Sequence, residues 1–143
     1  MTSLIDFDVD MEHNFSQGLR GYLSAVTSAL GIGLESCTVD LDLPASAYVA
    51  LDMRLDRFPG RDLALIWNER HGWSVAVETH RGGDLVVLSY LGGPEVVPAP
   101  RQVTKFLAAV LAEDHTVGRP DAPDLREPGN HRELVDLFAG VGL

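Results

Sequence analysis

Between residues 34 and 91 the hydrophobic positions mostly recur at every second residue, which is the spacing of β-strands with one buried face. Five segments are extended in this way: residues 37–43, 47–53, 63–67, 73–79 and 85–91. Short polar or glycine-containing turns separate the later segments, and this predicts an antiparallel sheet whose second half is a meander. The last segment, Leu85 to Leu91, is almost continuously apolar, so we expect a central strand covered on both faces, while the other four keep a wet side.

An amphipathic helix is predicted on each side of these strands. Apolar residues between Phe15 and Leu30 recur at intervals of three and four, with Asn14 or Ser16 as the N-cap and Gly31 as the stop. A second apolar stripe predicts a helix from Arg101 to Ala112. The order of helix, five strands and helix therefore predicts an α+β fold, with a largely antiparallel sheet covered by helices on one face.

Both ends of the chain differ from this central region. The sequence divides into an acidic N-terminal arm (residues 1–14), a single α+β domain (residues 15–113) and a Pro/Gly-rich C-terminal arm (residues 114–143). The C-terminal arm is extended and ends in a short helix, where Asn130 and Glu133 have the spacing of a capping box. Because so short a helix is marginal alone, we expect it to dock on another surface.

Composition narrows the class of protein. The chain has 143 residues, of which 45% are hydrophobic, so one domain can bury a core without metals or disulfides. Its single cysteine, Cys37, lies on the apolar side of a predicted strand, where a free thiol packs as a small hydrophobic group. The sequence lacks a segment apolar enough to span a membrane, and its acidic start is unlike a secretory signal, so we expect a cytoplasmic protein.

The net charge of −10 is concentrated at the two ends of the chain, while the central region is nearly neutral. Acidic flanks repel a phosphate backbone, so this distribution argues against nucleic-acid binding. A local basic face built from Arg54, Arg57 and Arg61 is the one alternative that the sequence leaves open.

Motifs for metals and phosphates are weak or missing. Asp6, Asp8 and Asp10 have the spacing that opens a calcium loop, but Met11 and Gln17 stand where that loop requires glycine and glutamate. The five histidines do not have the spacing of a metal site on one element. The sequence therefore predicts no cofactor, no metal and no catalytic residues, and it favours a protein that is not an enzyme.

Two groups of residues are candidates for binding. Arg54, Arg57 and Arg61 alternate with aspartates around a Pro-Gly loop, a pattern typical of a solvated, salt-bridged loop or of partner recognition. The aromatic candidates are Tyr22, Tyr48, Trp67, Trp73 and Tyr90. Trp67 and Trp73 flank a tight turn, so they are expected to face each other across a hairpin, either as a stabilising pair or as a binding platform.

Three stretches, residues 33–42, 44–51 and 62–73, carry a resemblance to a known group. The chain resembles, over roughly residues 18–112, a family of short actinobacterial proteins classified only as a domain of unknown function. That resemblance implies no activity, cofactor or site residue. The topology is also similar to small α+β chaperone and adaptor domains related to type III secretion chaperones, although it lacks the helix that those proteins insert between strands; they often dimerise and bind protein segments.

These observations lead to one main hypothesis and two alternatives. The main hypothesis is a non-catalytic, protein-binding accessory module, adaptor-like or chaperone-like, that forms a homodimer because two helices leave part of the sheet uncovered. The first alternative is a small-molecule-binding protein or enzyme, with a pocket between helices and sheet lined by Tyr22, Tyr48, Trp67 and Tyr90. The second alternative gives the function to the arm from Gly118 onward, which would reach another subunit or compete with a partner.

Overall fold

The structure, a computed structural model, describes residues 4–79 and 84–141, and only the backbone of residues 4–10. The described residues form helices and strands in the order α1 (Leu4–Leu30), β1 (Cys37–Asp40), β2 (Ser46–Ala50), β3 (Leu63–Asn68), β4 (Gly72–Glu78), β5 (Leu85–Tyr90), α2 (Pro100–Leu111) and α3 (His131–Ala139). A short 3₁₀ turn, Leu34–Ser36, precedes β1. The predicted α+β fold is confirmed.

The sheet is an antiparallel meander in which every strand pairs with the next one along the chain. Trp67 lies directly opposite Trp73 across the β3–β4 hairpin, as predicted. Gly72 closes that hairpin at a φ of 71°, a conformation that side chains with a Cβ disfavour. The pairing of β4 with β5 shifts register between Val75 and Ala76, so the last strand is bulged relative to its neighbour.

The hydrophobic core lies between the sheet and a layer made of α1, α2 and α3. Alternate strand residues, among them Val49, Leu65 and Val75, are fully buried on the helix side. Leu23 of α1 and Phe106 of α2 belong to the same core, and α1 also packs against α3. The helices therefore cover one face of the sheet, as the sequence predicts.

The prediction for the last strand is wrong. β5 is an edge strand rather than a central one, because a meander in sequence order leaves its last strand with one strand neighbour. Val86 is 51% exposed, so the apolar run Leu85–Tyr90 is not covered on both faces. The strand buried on both faces is β4, where the small side chains of Ser74 and Ala76 are sheltered by larger neighbours.

The first helix begins earlier than predicted. It includes residues 4–14, which the sequence analysis assigns to an arm, and neither Asn14 nor Ser16 caps it. The predicted stop is confirmed: Gly31 has a φ of 77°, and the Ile32 N–H bonds back to the Thr27 carbonyl at 2.9 Å.

The C-terminal segment returns to the domain. The backbone of Arg119 pairs with that of Tyr90 through hydrogen bonds of 2.8 and 2.9 Å, and α3 then buries Leu134 and Phe138. The expected docking of the short helix is confirmed. The predicted capping box is not, because no side chain caps α3 and Asn130 instead takes a left-handed conformation. Within the described ranges, no helix combines the length and hydrophobicity needed to cross a bilayer.

Candidate functional site

The sheet face opposite the helices, here called the outer face, is not covered by any described helix. The strand register places two rows of residues across it. One row consists of Tyr48, Ile66, Ser74 and Tyr90. The other consists of Ala50, Ala64, Ala76 and Val87. The outer face is thus lined by small and aromatic side chains.

Burial on the outer face is uneven. Ala64 and Ala76 are fully inaccessible although they lie outside the core cluster. Tyr48, Ile66 and Tyr90 are partly exposed. Among the described outward positions of β2 to β5, Glu78 alone carries a charge. This face is therefore nearly neutral over β2 to β5 in a chain with a net charge of −10, while β1 adds the exposed Asp40, which lies opposite Ser46 on the same side.

On this face Tyr48 donates its hydroxyl hydrogen to Glu78 Oε1 at 2.7 Å. Burial, followed by this bond to a carboxylate, raises the pKa of Tyr48 from its ordinary value of 10.0 to about 12. Between about pH 10 and pH 12, Tyr48 keeps its hydroxyl proton in the folded protein, whereas the unfolded chain has lost it. Stability from this group is therefore complete below about pH 10 and is lost as the pH rises through 12.

We expect Glu78→Gln to lower the pKa of Tyr48 toward 10, because it removes the negative charge that opposes a phenolate. Titration of a protein with ¹³C-labelled tyrosine rings, followed by NMR, measures the midpoint for each tyrosine. Glu127→Gln, at an exposed position of the C-terminal arm, is the control and should leave that midpoint unchanged. An unaltered Tyr48 midpoint in Glu78→Gln would contradict the assigned cause.

The other aromatic candidates lie in the interior. Tyr22, Trp67 and Trp73 are at most 1% exposed. Trp73 Nε1 donates to the Tyr22 hydroxyl at 2.9 Å, the Tyr22 hydroxyl donates to the Pro98 carbonyl at 2.6 Å, and Trp67 Nε1 donates to the Val96 carbonyl at 2.8 Å. Burial also raises the pKa of Tyr22 well above its ordinary range. Each polar atom is satisfied within the protein, so these rings fill the space between helices and sheet.

The three arginine candidates lie in and beside the β2–β3 loop. Arg54 pairs with Asp62 at 2.8 Å, and Arg57 pairs with Glu113 at 3.2 Å. The guanidinium groups of Arg57 and Arg61 lie 5.2 and 5.9 Å from the ring centre of Phe58. The loop is salt-bridged and solvated, one of the two arrangements that the sequence predicts, and exposed pairs of this kind add little stability. Its role in partner recognition stays a prediction.

Sequence analysis missed a buried polar cluster at the start of α3. Glu69 is fully buried, and its carboxylate accepts hydrogen bonds from the Gly129 N–H at 2.7 Å and from His131 Nε2 at 2.9 Å. The His131 ring also stacks on Phe15, with centroids 3.9 Å apart. No local pattern could have revealed this cluster, because Glu69 lies in a polar turn and its partners follow some 60 residues later. The described contacts of the His131 ring with Glu69 and Phe15 join the start of α3 to the β3–β4 turn and to α1.

A groove of about 460 Å³ separates α3 from the segment between β5 and α2. Its walls include Val96, Val97 and Leu137, with Glu95 and Asp136 also lining it. Among the described residues, no group of His, Cys, Asp and Glu side chains is arranged to hold a metal ion.

One protein family matches more than half of the chain. The model of a family of unknown function, DUF6292, matches residues 22–109. The chain belongs to DUF6292. The DUF6292 match begins within α1, contains the whole sheet with its outer face, and ends within α2, so α3 lies outside it. Membership confirms the expected likeness to a family of unknown function, and it assigns no activity. No curated protein and no solved structure matches the chain.

Proposed function

We propose that this protein is a non-catalytic, protein-binding accessory module that forms a homodimer through the outer face of its sheet. The observation that carries the proposal is the one-sided arrangement of the helices. α1, α2 and α3 pack on one face, whereas the outer face presents Tyr48, Ile66 and Tyr90 with no described helix over them. Uncovered faces that combine aromatic and aliphatic side chains are typical of protein interfaces.

Charge supports a second copy as the occupant of the outer face. Two chains that each carry a net charge of −10 repel each other, so association needs a surface with little charge of its own. The part of the outer face formed by β2 to β5 meets this condition, since Glu78 is the charged residue at its described positions.

The filled interior argues against the small-molecule alternative in its predicted form. Tyr22, Trp67 and Trp73 occupy the space between helices and sheet, and their polar atoms bond within the protein. Pockets for small molecules usually have volumes of about 300–1,000 Å³, and the groove beside α3, at about 460 Å³, is the described cavity in that range.

Size-exclusion chromatography with light scattering tests the dimer directly. The wild-type chain should have twice the protomer mass of 15.5 kDa at micromolar concentration. Ile66→Arg places a charge at the centre of the outer face and should give a monomer with an unchanged circular dichroism spectrum. Leu111→Arg, at a 36% exposed position of α2 on the helix side, is the matched control and should stay dimeric.

Two results would overturn this proposal. The first is a wild-type chain that stays monomeric at concentrations far above micromolar. The second is a dimer that Leu111→Arg dissociates while Ile66→Arg does not, since the interface would then lie on the helix side of the molecule.

A further inference from the structure

The two edges of the sheet differ in what covers them. At the β5 edge, the backbone of Tyr90 both donates to and accepts from Arg119. Apart from the bond of the Cys37 N–H to the Leu34 carbonyl in the preceding 3₁₀ turn, no backbone hydrogen bond joins residues 37–43 to a described element other than β2. The open side of β1, here called the β1 edge, presents backbone donors and acceptors that a further strand could pair with.

The β1 edge also exposes apolar side chains that the sequence pattern marks for burial. Hydrophobic residues alternate from Cys37 to Leu43, but the ladder with β2 stops at Asp40 because the chain turns back toward Ser46. Leu41 is 41% exposed and Leu43 is 65% exposed. The fold therefore leaves Leu41 and Leu43, the last two apolar positions of the strand pattern, without a strand to pair with. Such a conflict between local pattern and tertiary structure is typical of functional surfaces.

Charge determines which partner the β1 edge can accept. Glu35, Asp40 and Asp42 are exposed there, and no basic residue lies between Arg20 and Arg54 in the sequence. Two copies of this edge would bring like charges face to face, which destabilises strand pairing. The acids therefore protect the edge against self-pairing, and the same charges attract a basic strand.

From these observations we infer that the β1 edge binds an extended segment of another protein in which apolar side chains alternate with Lys or Arg. The segment adds a sixth strand through backbone hydrogen bonds to β1. Its apolar side chains contact Val39 and Leu41 on the helix side, and its basic side chains face Asp40 and Asp42 on the other. This site lies at the β1 edge, whereas the dimer surface proposed above is centred on β2 to β5, so the protein would bind a partner while a second copy covers that centre.

The test uses the full chain and a short acetylated, amidated peptide in which lysine alternates with valine. The control peptide has the same sequence with an N-methyl group on every peptide nitrogen, so it keeps every charge and side chain but lacks the backbone N–H groups that strand pairing requires. In an ¹⁵N NMR titration, the first peptide should shift the amides of residues 37–43 and slow their hydrogen exchange. The control peptide should bind at least about tenfold more weakly, because the backbone bonds are lost.

Matched variants locate the contact. Leu41→Ser should weaken peptide binding about fivefold to tenfold, because it removes apolar surface that the peptide covers. Leu137→Ser, at a position of α3 that is also 41% exposed, should leave the affinity unchanged. Ile66→Arg should bind the peptide like the wild type, which separates this site from the dimer. Equal binding of both peptides, shifts centred on Tyr48 and Tyr90, or no binding at millimolar peptide would each overturn the inference.

Discussion

Phe138→Ala should lower the free energy of unfolding by about 3–5 kcal/mol, the usual cost of removing a buried phenylalanine. Phe138 is 1% exposed, and its ring centre lies between 5.6 and 5.9 Å from those of Phe15, Tyr22 and Trp67. It also fills the space over Gly18, where an added Cβ would approach its ring to 3.0 Å. Alanine would leave a cavity at the junction of α1, α3 and the sheet that rigid aromatic neighbours cannot close.

Urea unfolding followed by tryptophan fluorescence measures this loss, because Trp67 and Trp73 are both buried and report on the same core. Leu137→Ala is the matched control, since Leu137 is the preceding residue of α3 and is 41% exposed. It should change stability by no more than about 0.5 kcal/mol. A similar cost for the two variants would contradict the assignment of Phe138 as the anchor of α3.

Glu69→Ala should destabilise the protein by about 3 kcal/mol, although glutamate in a turn is usually replaceable. The Glu69 carboxylate is fully buried and satisfies both the Gly129 N–H and His131 Nε2. Alanine would leave these two groups without an acceptor at the start of α3, and a buried donor without a partner loses its full solvation free energy. The loss should be seen in the same unfolding experiment.

A double-mutant cycle separates this network from general disruption. Glu69→Ala combined with His131→Ala should cost clearly less than the sum of the two single changes, because the bond is lost once. Glu133→Ala is the control, since its side chain is 53% exposed and bonds to Arg126 at 3.3 Å. Additive effects of Glu69 and His131, or a cost for Glu69→Ala as small as that of the control, would show that the bond contributes little.

The sequence predicts the strands well because their signal is local. Alternation of apolar and polar residues, with Gly72 at the tightest turn, gives all five strands and the antiparallel pairing. The order of strands in the sheet is not local, and this is why the apolar run of β5 is mistaken for a central strand. An apolar strand can be covered by a sheet neighbour, by a helix or by a partner protein, and the pattern alone cannot distinguish these.

The aromatic binding candidates show the same limit of local sequence patterns. Tyr48 and Tyr90 lie on the outer face, whereas Tyr22, Trp67 and Trp73 lie in the core. Composition cannot separate the two sets, because aromatic side chains are common both in cores and at interfaces. The Glu69 cluster escapes prediction for another reason: its partners are some 60 residues away, and nothing in the turn that holds Glu69 indicates burial.

The position of Phe138 also sets the order in which this core can be completed during synthesis. Phe15, Tyr22 and Trp67 leave the ribosome long before α3, and their contacts with Phe138 join residues more than 70 positions apart. Until α3 is synthesised, the aromatic side chains of Phe15, Tyr22 and Trp67 are exposed to water, while the strands of the sheet can already pair. Such surfaces attract chaperones and aggregate when translation pauses. The docking of α3, the last described helix, is therefore the folding event that covers these aromatic side chains in the nascent chain.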